Sequence, residues 1–155
     1  MLYILYLLTV VVLVTADQFS KYLIVNSIAE SEQIVLIKDF FSITYVRNFG
    51  AGFSILQNQR IFLLLITIVA IIGLSYLLVK TKNNEPLNRI CYVLIIGGAI
   101  GNMIDRLTIG YVIDFLDFNI IKYDFPVFNL ADCFVTIGCF LLIISTLLEM
   151  KNEKN

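Results

Sequence analysis

The chain of 155 residues is 59% hydrophobic and 15% charged, with a net charge of -1 and a mean hydropathy of +0.90, whereas soluble domains average about 45–50% apolar residues. Those values mark an integral membrane protein and exclude the basic surface that a nucleic-acid partner requires. Histidine is absent, which removes HExxH zinc chemistry, Ser-His-Asp triads and Cys-His pairs, and leaves carboxylates, Lys or an oxygen-ligated metal to run any hydrolysis.

A membrane helix needs about 20 mostly apolar residues. The first window that qualifies spans 2–25 and carries Asp17 and Lys21 near its far end. No Lys or Arg precedes its apolar run and no A-x-A site accompanies it, so it reads as a permanent helix and not as a removable signal peptide. Asp17 and Lys21 stand at i, i+4 and can pair on one helix face, as a plain interfacial ion pair or as part of a site. Ser20 beside Lys21 is not a Ser-Lys dyad, because consecutive helical residues point about 100° apart.

The stretch 30–57 is not a span. Ile34-Val-Leu-Ile37 and Phe41-Ser-Ile-Thr-Tyr-Val46 are rich in β-branched and aromatic residues, and the second alternates apolar with polar. Both predict short strands, forming a small sheet against the membrane. Asn48, Gly50 and Gly52 mark a turn or a tight backbone approach beside it.

The second window spans 61–79. The polar loop Lys80 to Arg89 follows, with Pro86 blocking helical continuation. The third window, 90–104, is thinned by Gly97, Gly98 and Gly101, small residues that let helices approach closely; it contains neither a phosphate loop nor a GxGD motif. The fourth spans 130–148 and ends in a charged tail. Cys91, Cys133 and Cys139 all lie in apolar stretches and read as packing residues.

Four crossings bring the end of the first span, the end of the third and the start of the fourth to one side. Asp17, Asp105, Asp114 and Asp132 therefore share a face by parity alone. A carboxylate at the bilayer centre costs roughly 3 kcal/mol or more, so acids beside apolar spans are usually kept for a function. Orientation is not decided by charge: Lys80, Lys82, Arg89, Lys151 and Lys154 lie on one side, Lys21, Lys38, Arg47, Arg60, Arg106 and Lys122 on the other. The compact cluster in the short loop leans toward a cytoplasmic loop.

Asp114 reads as a loop residue just beyond the third span. Asp132 falls in the first turn of the fourth helix, where a carboxylate interacts well with the dipole, so capping competes with chemistry as its role. Asn129 is the better cap residue and leaves Asp132 free for other work. Asp105-Arg106 either closes the third helix or offers Arg106 to a phosphate or a backbone carbonyl. Two carboxylates brought together at a dry interface do not both ionise, which is the aspartic protease arrangement of one general base and one proton donor.

Five segments, Asp17-Gln-Phe-Ser-Lys21, Asn48-Phe-Gly-Ala-Gly-Phe53, Gly97-Gly-Ala-Ile-Gly-Asn-Met-Ile-Asp-Arg106, Val112-Ile-Asp-Phe115 and Phe128-Asn-Leu-Ala-Asp132, occur in this order along nearly the whole chain. Together they resemble the lipoprotein signal peptidase family, signal peptidase II of bacteria. The resemblance implies a single integral membrane peptidase domain over 1–155, mostly α, with four transmembrane helices and a small extracytoplasmic β-rich segment between the first two. It makes Asp114 and Asp132 the catalytic pair. Asp17, Lys21, Asn48, Gly50, Asn102, Asp105, Arg106 and Asn129 become the residues that bind substrate or order the site. It further implies cleavage of prolipoprotein signal peptides before a diacylglyceryl-modified cysteine, by a monomer in contact with membrane lipid, without metal or cofactor. The site then faces outward from the cytoplasmic membrane, with both termini inside. The segment 116–127 carries no family motif, and its contacts stay open.

Two rivals remain. An ion-coupled transporter subunit predicts acids distributed through the membrane depth, whereas these cluster at one face. A non-catalytic assembly factor has no use for Asp114 and Asp132.

Overall fold

The computed structural model describes residues 2–52, 55–81, 85–120 and 123–152. Phe53 of the glycine-containing motif, and Lys82, Lys122 and Lys154 of the charge balance, lie outside the described residues.

Four helices are long and apolar enough to cross a membrane: α1 (Leu2–Ser27), α2 (Arg60–Lys80), α3 (Pro86–Thr108) and α4 (Leu130–Asn152). The protein is accordingly a multi-pass membrane protein. Between them lie β1 (Gln33–Ile37), β2 (Phe41–Asn48), β3 (Val112–Ile120) and the two-residue β4 (Tyr123–Asp124). They form an antiparallel sheet in the order β1-β2-β3-β4.

The third helix begins at Pro86, four residues before the expected start at Ile90. Proline blocks continuation of a preceding helix but suits the first helical position, where its missing N–H has no partner to lose. The helix also outruns the expected end at Ile104. It stops where the Ile109 and Gly110 N–H groups both donate to the Asp105 carbonyl, at 2.9 and 3.1 Å. Gly110 has φ +90°, the left-handed turn that favours glycine after a helix.

α3 is the central helix. It buries Cys91, Tyr92, Val93, Ile95, Ile96, its glycines and several polar residues, whereas α1 buries only Asp17 and Lys21 and α2 only Leu63. Most remaining apolar side chains of α1, α2 and α4 are exposed, as a lipid-facing surface requires. The glycines act as contact points. A Cβ on Gly98 would strike the Ala131 carbonyl and come within 2.8 Å of Val135 Cγ2; one on Gly138 of α4 would lie 2.7 Å from Ile95 Cγ1. Cys91 is buried, Cys139 is exposed and Cys133 is half-buried, so only the first fits a simple packing role.

The two expected strands are present. β2 also pairs with β3, with Val46 opposite Asp114 and Asn48 opposite Val112. Asp114 thus belongs to a strand and not to the loop the sequence suggested; Val112-Ile-Asp-Phe is too short an alternation to distinguish the two. The segment left open, 116–127, contains the rest of β3 and all of β4. Beyond it, Phe128 O accepts from both the Phe115 and Leu116 N–H groups, at 2.9 and 2.8 Å. Ile28, Tyr45, Ile113 and Phe115 form a buried cluster, with Ile24 and Leu130 against it, and fasten the sheet to the ends of α1 and α4.

Candidate active site

Asp17 and Lys21 lie on the last turns of α1, Asn102, Asp105 and Arg106 on the last turns of α3, and Asp132 on the first turn of α4. Asn129 directly precedes α4, while Asn48 ends β2 and Asp114 lies on β3. As four crossings require, these residues share one end of the bundle, and there they form one connected polar cluster.

Its base is an ion triad. Lys21 Nζ lies 2.8 Å from Asp17 Oδ2 and 2.8 Å from Asp105 Oδ2, and it donates to Asn102 Oδ1 at 3.0 Å. Those partners use all three ammonium hydrogens. Lys21 is 1% exposed and Asp17 0%, so each charge depends on the others for compensation. Asp17 Oδ1 accepts from Ala131 N at 2.9 Å, and Asp105 Oδ2 from Ile113 N at 3.2 Å. The Asp105 side chain therefore ties α3 to α1 and β3, while its backbone carbonyl closes the helix, the role the sequence offered.

Gln18 was absent from the expected site. Its Nε2 donates to Asp105 Oδ1 at 2.8 Å, to the Gly101 carbonyl at 3.1 Å and to Asp17 Oδ2 at 3.2 Å. The available signal was a polar residue, inside an apolar helix, next to an acid.

Above the triad the amides link the two remaining acids. Asn102 Nδ2 donates to Asp132 Oδ1 at 2.7 Å. Asn129 Nδ2 donates to Asp114 Oδ1 at 2.7 Å and to Asn102 Oδ1 at 3.1 Å. Asn48 Nδ2 donates to Asp114 Oδ2 at 2.9 Å. Asn129 also caps α4, accepting from Asp132 N at 2.9 Å, while its own N–H donates to Asp132 Oδ2 at 3.3 Å. That reciprocal pair is a capping box, so Asp132 is not left free by the cap; it takes part in it.

Arg106 Nη2 donates to the Gly50 carbonyl at 2.7 Å, the backbone alternative raised from the sequence. Gly50 N donates to Asn48 Oδ1 at 2.8 Å, and a Cβ there would strike the Ile55 carbonyl, so only glycine fits this close approach. Arg106 thus fixes the loop that orients Asn48.

Asp114 and Asp132 line one cleft of about 520 Å³, with Phe125 to Phe128 on one wall and Cys133, Val135 and Ile137 of α4 on another. Burial first, and then the charge of Asp132, push the Asp114 carboxyl up to about 7, against the amide donors of Asn48 and Asn129. A carboxyl near 7 in a cleft beside a second acid can hold or release a proton under neutral conditions.

A family model described as signal peptidase (SPase) II matches residues 9–148. The chain belongs to the signal peptidase II family. The lipoprotein signal peptidase of Brevibacillus brevis is 43% identical, covering 96% of this chain and 99% of the relative. That of Clostridium tetani is 42% identical over 92% of both chains, and that of Staphylococcus aureus 39% identical over 96% and 91%. A solved structure described as a bacterial membrane enzyme superposes with a TM-score of 0.90 at 39% identity, covering 95% of this chain and 90% of the other. Members of this family are peptidases that remove signal peptides from prolipoproteins, which sets aside the transporter and assembly-factor readings.

Proposed function

We propose that the protein is an aspartic endopeptidase that cleaves prolipoproteins before a diacylglyceryl-modified cysteine, with Asp114 and Asp132 as its catalytic pair. The observation that carries this reading is the shared cleft: the two acids line it together, and Asn102 and Asn129 link them.

Asp114, with its carboxyl near 7, holds the proton and donates a hydrogen bond to the scissile carbonyl. Asp132, held by N–H groups of Asn102 and the Asn129 backbone, is the partner acid that acts as general base on water. The attack forms the carbon–oxygen bond and the water proton passes to Asp132, which hands it to the leaving amine as the carbon–nitrogen bond breaks, so that Asp132 ends ionised and Asp114 protonated as they began. Asp17, Lys21, Asp105, Asn48, Gly50, Arg106, Asn102 and Asn129 order the pair. No metal or cofactor takes part in this scheme.

We read the chain as a single peptidase domain that acts as a monomer. The acids lie at helix ends, the depth at which a membrane-anchored signal segment with a lipidated cysteine presents its cleavage bond. We assign that end of the bundle to the extracytoplasmic side, with both termini cytoplasmic. A cysteine introduced as E30C should then react with an impermeant thiol reagent from outside.

The deciding experiment incubates purified protein with a lipidated prolipoprotein and follows the size shift. Cleavage should be lost in Asp114→Asn and Asp132→Asn while both variants accumulate in the membrane normally. An unlipidated peptide of the same sequence should be cut poorly, in turnover as well as affinity, because remote binding energy positions the reacting bond. Substantial turnover by either Asn variant removes that residue from the pair.

A further inference from the structure

A second cleft, of about 590 Å³, lies beyond the first over the sheet. Phe125, Pro126 and Val127 line both clefts, so one short segment is their common wall. Their chemistry differs. The first runs down α4 along Cys133, Val135 and Ile137. The second is lined by Lys38 and Asp39 from the β1–β2 turn, Gln33 and Ser42 from the strands, and Asp117 from β3.

Asp117 is held in place: Gln33 Nε2 donates to its Oδ2 at 3.0 Å, and Ser42 pairs directly opposite it. It stands three residues from Asp114 on the same strand. The paired Phe115 and Leu116 N–H groups on Phe128 O form a bulge between them.

We propose that this second cleft receives the residues that follow the lipidated cysteine in the substrate and selects against acidic ones. Such a subsite rests on the peptidase reading given above. A bond held at Asp114 and Asp132 has a signal helix on one side, which stays at membrane depth beside the apolar face of α4. The chain on the other side has to leave the membrane, and the shared Phe125–Val127 wall leads it over the sheet. Among the described residues it meets there two carboxylates, Asp39 and Asp117, against one ammonium, Lys38. The excess negative charge favours basic residues over acidic ones. At such an open site the preference amounts to about two- to fivefold and weakens as salt rises.

The test compares kcat/KM for lipidated prolipoproteins that carry Lys or Glu at the second to fourth positions after the cysteine. The parent enzyme should prefer Lys, more so at low salt. Asp117→Lys should reverse the ratio. Because that change also removes the Gln33 hydrogen bond, Lys38→Glu provides an independent arm on an exposed turn, and it should enlarge the preference for Lys. Equal rates for the Lys and Glu substrates, or a ratio that neither variant moves, would overturn the subsite while leaving the peptidase assignment intact. Failure to cleave any lipidated substrate would overturn the peptidase reading itself, and the subsite with it.

Discussion

The side-chain amide of Asn129 donates to Asp114 Oδ1 at 2.7 Å, and its oxygen accepts the Asp132 backbone N–H at 2.9 Å. One residue therefore orients an acid on a strand and starts the helix that carries the other. Asn129→Ala should lose both functions: about 1 kcal/mol of stability from the missing cap, and about a hundredfold in turnover from misplaced acids. Asn129→Asp keeps a capping oxygen but sets a third carboxylate against Asp114. Because Asn129 is fully buried and a third charge has no partner there, this variant should lose more thermal stability than the Ala variant and be as inactive. Melting in detergent and single-turnover cleavage separate the two.

Lys21 is the cation that Asp17 and Asp105 share. Lys21→Met should cost about 3–5 kcal/mol, because two buried carboxylates lose their counter-charge. Lys21→Arg should not restore stability, since three acceptors at 2.8, 2.8 and 3.0 Å converge on a compact ammonium and not on a planar fork. Thermal unfolding of both variants checks this.

A carboxyl raised from about 4 in the unfolded chain to about 7 in the fold has a definite sign. Its contribution to stability is fully present below about pH 4 and is lost as pH rises through about 7. The melting temperature of the parent should therefore fall relative to that of Asp114→Asn across that window. Activity should also decline on the alkaline side of about pH 7, as Asp114 gives up the proton it needs as an acid. An activity profile rising steadily to about pH 9 would remove Asp114 from that role.

A Cβ on Gly101 would fall 2.5 Å from Asp17 Oδ2 and 3.3 Å from Ala131 Cβ. Even Gly101→Ala should therefore lower melting temperature and cleavage together, and Gly101→Leu should do so more severely. A Cβ on Gly73 of α2 would meet nothing within 4 Å, so Gly73→Ala is the matched control that should change neither.

Cleavage should withstand prolonged treatment with a chelator. Among the described residues no three His, Cys, Asp or Glu side chains group as a metal-ligand set, and the proposed chemistry needs only two acids. Loss of activity that added divalent ion restores would replace the acid pair with an oxygen-ligated metal.

The positions of Asp17, Lys21, Asp105 and Asp132 were legible because apolar spans are long, and parity follows from counting them. β1 and β2 were legible from β-branched runs. β3 was missed: Leu116-Asp-Phe-Asn-Ile120 alternates apolar with polar, but Asp and Asn are poor strand formers, and the pairing with β2 that overrides them is far away in sequence. The same non-local cause hid Gln18, whose partners on α3 are more than 80 residues distant. The capping role of Asn129 was legible from its place just before the fourth span, whereas the part the amides play around the acids was given only by family resemblance. Nothing in the local sequence distinguishes an Asn that links two acids from an Asn that caps a helix, and Asn129 does both.

The first helix buries just one acid and one base, four residues apart, and spreads its apolar side chains toward lipid. During synthesis it emerges before any partner helix exists. Because Asp17 and Lys21 face each other within the same helix at 2.8 Å, it can enter the bilayer as a locally neutral segment and wait there. Docking then exchanges lipid and headgroup contacts for Asp105, Asn102 and the Ala131 N–H. Since Asp132 and the Ala131 N–H belong to α4, the cluster and its cleft are complete only once the fourth span has been inserted.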